Sequence, residues 1–181
     1  MLNDIESVLI TQEQLKSMVE KLGERISEDY KDKNLLLICV LKGSVVTMAD
    51  LMRAVTIPCQ IDFMVVSSYG SESKTSGVVK IIKDLDHPIK GYDVLIVEDI
   101  LDSGMTLSYL TKILKNRNPS SIKICTLLDK PGRRAETVEI KPDYVGCQIP
   151  DEFVVGYGLD YDEKYRNLPF VGVLKRSVYE K

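Results

Sequence analysis

Two kinds of apolar spacing alternate along the first 130 residues of the chain. Thr11-Gln12-Glu13-Gln14 has the form of a capping box, and Leu15, Met18, Val19, Leu22 and Ile26 follow at intervals of three or four or close to them. That spacing gathers the apolar side chains on one stripe and predicts an amphipathic helix over 11–29. Leu35–Leu41 is different: seven consecutive apolar residues of strand length. A run without a polar face suits a strand covered on both sides, as in a parallel sheet. Residues 44–54 read as a helix, Ile61–Val66 as a strand and Val94–Val97 as another buried strand. Leu107, Leu110, Ile113 and Leu114 mark one face of a helix that ends near Asn116-Arg117-Asn118-Pro119, and Ile122–Leu128 is the next strand. Strands alternating with helices indicate an α/β fold, with a central, mostly parallel sheet flanked by helices.

Past residue 130 the helical period is lost. Tyr144–Ile149, Phe153–Tyr157 and Phe170–Leu174 read as short strands separated by turns. The expectation is one domain over 1–181, with a core of about 30–130 and a smaller flap formed by about 131–181 and the N-terminal segment. Ser67–Gly77 stands apart, with five serines and two glycines. It reads either as a hairpin loop between strands 61–66 and 78–82 or as a mobile lid, since long polar loops in small domains tend to carry a function.

Composition narrows the possibilities. A net charge of −3 and the lack of a long basic run argue against a general nucleic-acid binder. The N-terminus, Met-Leu-Asn-Asp-Ile-Glu, has no basic stretch before an apolar one, so it does not read as a secretory signal. The longest apolar run is seven residues, against about 20 for a spanning helix. A soluble, cytoplasmic protein with no membrane partner is expected. Cys39, Cys59, Cys125 and Cys147 lack metal-ligand spacing and read as core or near-core thiols in a reducing compartment. The one histidine, His87, sits in the turn-like Asp84-Leu85-Asp86-His87-Pro88.

The chemistry concentrates after the strand Val94–Val97. Glu98, Asp99 and Asp102 place three carboxylates in five positions, an arrangement best tolerated where a cation or hydroxyl groups balance it. In open α/β sheets ligands bind beyond the carboxyl ends of the strands. Ser103-Gly104-Met105-Thr106 then offers two hydroxyls and the amides of a helix N-terminus, with Gly104 allowing close approach: a phosphate cradle. Simple capping by Asp102 or Ser103 would account for one residue but not for the acidic pair. Neither the Gly-Lys-Ser/Thr of a Walker loop nor the glycine and terminal Glu of an EF-hand loop is present at the required spacing.

The segment Val94-Leu95-Ile96-Val97-Glu98-Asp99-Ile100-Leu101-Asp102-Ser103-Gly104-Met105-Thr106-Leu107 resembles the phosphoribosyl-pyrophosphate motif of type I phosphoribosyltransferases. Nearly the whole chain is similar to the hypoxanthine-guanine branch of that family, particularly its short bacterial forms. The similarity is carried by Leu41-Lys42-Gly43, Ser68-Tyr69-Gly70, Leu128-Asp129-Lys130, the run Pro150–Tyr161, and Glu163-Lys164-Tyr165-Arg166-Asn167-Leu168-Pro169.

The resemblance implies purine salvage: transfer of a 5-phosphoribosyl group from phosphoribosyl pyrophosphate to hypoxanthine or guanine, with Mg2+ as cofactor. It puts Lys42 and Gly43 in a pyrophosphate loop, often preceded by a cis peptide bond, with Arg166 as a second pyrophosphate contact. It assigns Glu98 and Asp99 to ribose and metal, Asp102 to proton transfer, and Ser103, Gly104, Met105 and Thr106 to the 5′-phosphate. Lys130 would donate to the purine O6, Phe153 would stack on the base, Val154 would bind it through its backbone, and Asp160 would reach a second magnesium. Ser68 and Tyr69 would ride on the lid. Taken without the resemblance, Lys42 reads as the end of a strand, Lys130 as a turn lysine and Phe153 as core. Arg133 and Arg134 have no assigned role, and Met105 stands where some relatives carry lysine. A homo-oligomer, dimer or tetramer, is also implied. A xanthine-preferring enzyme and a non-catalytic phosphoribosyl-pyrophosphate sensor are the alternatives.

Overall fold

The run of seven apolar residues forms the middle of the sheet. The computed structural model describes residues 1–68 and 79–180. In chain order its elements are β1 (Ile5–Ile10), α1 (Gln12–Asp29), β2 (Leu35–Leu41), α2 (Val45–Ala54), β3 (Cys59–Ser68), β4 (Val79–Lys83), β5 (Asp93–Leu101), α3 (Met105–Lys115), β6 (Ser121–Asp129), β7 (Tyr144–Gln148), β8 (Val154–Val155), β9 (Val171–Leu174) and α4 (Arg176–Tyr179). The main sheet has the order β4-β3-β2-β5-β6-β7, with β3, β2, β5, β6 and β7 parallel and β4 antiparallel to β3.

Strand alternation divides the core in two. Leu35, Leu37 and Cys39 of β2 and Leu95 and Val97 of β5 pack with α1 and α2. Leu36, Ile38, Val40, Val94 and Ile96 face the other way, onto Leu107, Leu110 and Leu114 of α3. The unbroken apolar run is the direct result of covering both faces. The predicted capping box holds α1 in place: the Gln14 amide donates to Thr11 Oγ1 at 3.3 Å and the Thr11 amide to Gln14 Oε1 at 2.8 Å. Where α1 crosses α2, a Cβ on Gly23 would come within 2.6 Å of the Ala54 backbone, so the close crossing requires glycine.

Three expectations change. The strand predicted as Val94–Val97 continues to Leu101, so Glu98 and Asp99 lie on it rather than after it. The run Tyr144–Ile149, read as part of the flap, supplies β7, the edge of the main sheet, parallel to β6. Ile5–Ile10, whose short irregular pattern gave no strand signal, forms β1 and pairs antiparallel with β9, which pairs with β8. The smaller sheet therefore joins the two ends of the chain. Of the Ser67–Gly77 segment, Ser67 and Ser68 end β3, in register with Lys80 and Val79. Tyr69 and the rest of the predicted loop or lid lie outside the described residues. Cys39 and Cys125 are buried, Cys59 and Cys147 partly so, and all four are free thiols. His87 is exposed. Among the described residues no helix is long and apolar enough to cross a membrane.

Leu95 is fully buried at the centre of the sheet. Leu95→Ala is expected to cost about 2–5 kcal/mol, as deletion of buried leucine side chains does, read as a lower midpoint in urea denaturation.

Candidate active site

Because β5 continues through Glu98 and Asp99, the pleat sends these neighbours to opposite faces of the sheet. Glu98 follows Val94 and Ile96 toward α3 and lines a cavity of about 160 Å³ with Leu101, Asp102, Gly104 and Thr106. Asp99 follows Leu95 and Val97 to the other face, where its Oδ2 lies 1.9 Å from the position of a Cβ on Gly43. Lack of a side chain at residue 43 is what lets the carboxylate meet that loop. Glu98 is buried, and its pKa is raised well above the ordinary carboxylate range by desolvation and then by the Asp99 and Asp102 charges. Asp99 is pushed up to about 6, chiefly by desolvation, despite the Ile100 amide donating to its Oδ1 at 2.8 Å and the nearby Arg166.

The loop after β5 turns into α3 at Gly104, whose φ of 75° is the left-handed conformation that glycine adopts freely. A Cβ there would stand 2.7 Å from Ile140 Cγ2. The N-cap of α3 is Gly104, which has no side chain to cap with; the Ser103 hydroxyl accepts from the Met105 amide at 3.5 Å, whereas the Asp102 carboxylate takes no α3 amide among the described residues, so capping accounts for Ser103 at most. Asp102 is exposed and accepts from the Ser103 amide at 2.6 Å. The first intrahelical bond runs from the Ser108 amide to the Gly104 carbonyl; of the preceding first-turn amides, that of Met105 makes the long bond to Ser103 Oγ, and those of Thr106 and Leu107 are open to an anion.

Opposite Gly43 lies the loop after β8. Gly158 packs so closely that a Cβ on it would be 2.1 Å from the Gly43 carbonyl oxygen. Arg166 donates to the Gly158 carbonyl at 2.8 Å and pairs with Asp160 at 2.9 Å. Lys42, which follows a cis peptide bond, is 3.0 Å from Glu163, whose other oxygen is 3.4 Å from Arg166. Glu163 thus bridges the two predicted pyrophosphate cations. Six residues here, Gly156, Tyr157, Gly158, Asp162, Glu163 and Tyr165, have positive φ between 51° and 101°. Such density of left-handed backbone marks a loop held by its surroundings.

Lys130 ends the β6 region, where its amide donates to the Leu101 carbonyl at 2.9 Å and its ammonium to the Glu152 carbonyl. It is half-buried rather than a free turn lysine, and burial lowers its pKa. Phe153 is 37% exposed, so it is not core. Its ring stacks on Tyr179 at 4.8 Å and meets Tyr161 edge-on at 5.5 Å. Val154 is buried in β8.

The predicted residues therefore form two neighbouring groups: Lys42, Gly43, Asp99, Asp160 and Arg166 at one, and Glu98, Asp102, Ser103, Gly104, Thr106 and Lys130 at the other. Phe153 and Val154 adjoin Lys130 through Glu152. Among the described residues, no three His, Cys, Asp or Glu side chains form a metal-holding group, so Glu98, Asp99 and Asp160 do not make one joint site. The donor set nonetheless suits a hard cation, because the buried Glu98 and the partly buried Asp99 are carboxylates with raised pKa values and little compensating positive charge. Sequence reasoning missed Tyr179, which lies in a four-residue helix with no periodic signal, and Glu163, which lay in a matched run without a role of its own.

A parallel sheet with split carboxylates at its carboxyl edge and a glycine-started helix beside them is the arrangement expected of the phosphoribosyltransferase class. The chain belongs to the phosphoribosyl transferase domain family, which it matches over residues 9–162. It is 55% identical to the hypoxanthine-guanine phosphoribosyltransferase of Bacillus subtilis, over 99% of each chain. It is 54% identical to that of Mycobacterium tuberculosis, over 98% of this chain and 90% of the relative. A crystal structure of a hypoxanthine phosphoribosyltransferase from Staphylococcus aureus superposes with a TM-score of 0.96 at 49% identity, covering 100% of this chain and 97% of that one.

Since folding raises the Asp99 pKa from 3.8 to about 6, its burial costs stability wherever it is ionised. The cost is absent below the unfolded pKa and complete above the folded one. Asp99→Asn is expected to raise the melting midpoint in divalent-free buffer by about 2–4 °C at pH 8, with no gain at pH 4. An equal gain at both values would show that the effect is not electrostatic.

Proposed function

We propose that this chain transfers the 5-phosphoribosyl group of phosphoribosyl pyrophosphate to hypoxanthine or guanine, releasing pyrophosphate. The observation that carries the choice of base is Lys130. Its half-buried ammonium has only donors to offer and meets the Glu152 carbonyl next to Phe153, while its amide holds the Leu101 carbonyl just before the proposed phosphate cradle. A 6-oxopurine presents an acceptor to that ammonium, whereas adenine presents an amino donor and leaves it unpaired.

In the transfer, purine N9 forms a bond to C1′ as the bond from C1′ to pyrophosphate oxygen breaks. Phe153 supplies a ring face for the base, and the Val154 backbone its edge contacts. The first-turn amides of α3 with Ser103, Gly104, Met105 and Thr106 hold the 5′-phosphate. Lys42 and Arg166 take the leaving pyrophosphate in place of Glu163, which now bridges them. Asp102, exposed toward the base end, holds the proton exchanged with purine N7. Glu98 and Asp99 lie on opposite faces of β5, so each would hold Mg2+ or a ribose hydroxyl from its own side rather than chelate one ion together, and Asp160 would reach a second ion through water. When bound, the ions supply positive charge against the pyrophosphate. A reducing cytoplasm suits the four free thiols.

The test is a panel of hypoxanthine, guanine, xanthine, adenine and uracil with phosphoribosyl pyrophosphate and Mg2+. Turnover with hypoxanthine or guanine and little with the others is expected, while a preference for xanthine or no turnover at all would replace this reading. Asp102→Asn should lower kcat about 100-fold or more while phosphoribosyl pyrophosphate still binds by calorimetry. Lys130→Ala should raise KM for the oxopurine about tenfold or more, and an unchanged KM together with unchanged discrimination against adenine would remove the O6 contact.

A further inference from the structure

Arg133 and Arg134 are adjacent in sequence and differ sharply in place. Arg133 is 63% exposed and pairs at 2.8 Å with Asp151, 56% exposed, an arrangement worth little. Arg134 is only 17% exposed, and its guanidinium spans two acceptors. One terminal nitrogen donates to the carboxylate of Asp129, itself 7% exposed, and the other to the main-chain carbonyl of Asp102. The planar fork of arginine can serve two such acceptors at once, which an ammonium cannot do with the same geometry.

This contact belongs to a continuous seam. The Lys130 amide donates to the Leu101 carbonyl at 2.9 Å, Arg134 to the Asp102 carbonyl, and the Ala135 amide to the Ser103 carbonyl at 3.0 Å. Three successive carbonyls of the loop are thus taken by the short segment that begins with the base-contacting lysine. Arg134 Cδ and the side chains of Val138 and Ile140 close the space over Gly104, within 3.2 Å, 3.2 Å and 2.7 Å of a Cβ position there. Meanwhile, among the described residues, the Asp102 carboxylate accepts only from the next amide in the chain. Its direction is therefore set through its backbone, and the side chain gripping that backbone is Arg134. A buried ion pair adds little net stability over an apolar pair of similar size, but it does fix geometry.

We propose that Arg134, held by Asp129, is a positioning residue for the transfer reaction: by fixing the Asp102 carbonyl it keeps the Asp102 carboxylate in register with the base held at Lys130. Both terminal nitrogens of Arg134 are engaged by protein acceptors, so it acts through Asp102 rather than on the substrate. The inference rests on the reading of Asp102 as the proton carrier.

The experiment compares Arg134→Lys, Arg134→Met and the paired variant Arg134→Met with Asp129→Leu, which leaves no buried charge unmatched should the single change fail to fold. For folded protein, kcat is expected to fall about 10- to 100-fold, with KM for both substrates changed less than about threefold, as when an interaction made only in the transition state is lost. A merely structural arginine would lower the folded fraction or the melting midpoint and leave kcat per folded molecule unchanged. Each variant is then combined with Asp102→Asn. Residues acting as a unit are not additive, so the Arg134 change should cost less than about twofold further in that background. Unchanged kcat in the folded variants overturns the inference, and so does a full further loss on top of Asp102→Asn. If Asp102→Asn alone keeps parental turnover, the proton role of Asp102 fails instead, whatever the Arg134 variants do.

Discussion

The structure depends on one strand that is covered on both faces through Glu98 and opens at Asp99 and Ile100 before it closes again at Leu101. β5 is buried from Val94 to Glu98. Over the first four of those residues the alternating faces are apolar and feed the two halves of the core. The same alternation then operates on carboxylates, sending Glu98 to the α3 face and Asp99 to the Gly43 loop. Each half of the site is therefore an extension of one half of the core. The acids are costly where they are, as their raised pKa values show, and the surrounding apolar packing offsets that cost.

The second group is built by a different device. Between β8 and β9 the chain adopts left-handed backbone at six residues, and two of these are glycines pressed against carbonyl oxygens. Gly156 leaves room for the Phe170 carbonyl, and Gly158 for that of Gly43. The loop brings Asp160, Glu163 and Arg166 to Lys42 through such close approaches rather than through regular structure. Buried side chains beneath it, Tyr165 and Leu168 among them, supply the anchorage.

What the sequence made legible follows from these two modes of construction. Apolar periodicity located every long element, and the capping box marked the start of α1, because those signals are local and energetically dominant. The acidic segment and its helix were legible for the same reason. The end of β5 was misplaced because charged residues on a strand read as a loop when the burial that pairs them is non-local. β7 was assigned to the wrong sheet because a short strand carries no information on its partner. β1 gave no signal since its own residues are largely exposed and its partner lies at the far end of the chain. The role of Arg134 was illegible because its two acceptors, one of them a main-chain oxygen, come from other strands' ends.

The stacking of Tyr179 on Phe153 joins the last turn of the described chain to the ring proposed to face the base. The C-terminal helix is four residues long and far in sequence from the acidic motif. Through β9 it is continuous with β1, and the Lys175 amide donates to the Asp4 carbonyl at 2.9 Å. β1, β9 and the four-residue helix are thus tied together beside the Phe153–Tyr179 stack. Strain introduced at Asp4 or Lys175 would therefore reach the Phe153–Tyr179 stack through one hydrogen bond and one strand pair, without passing through the acidic segment.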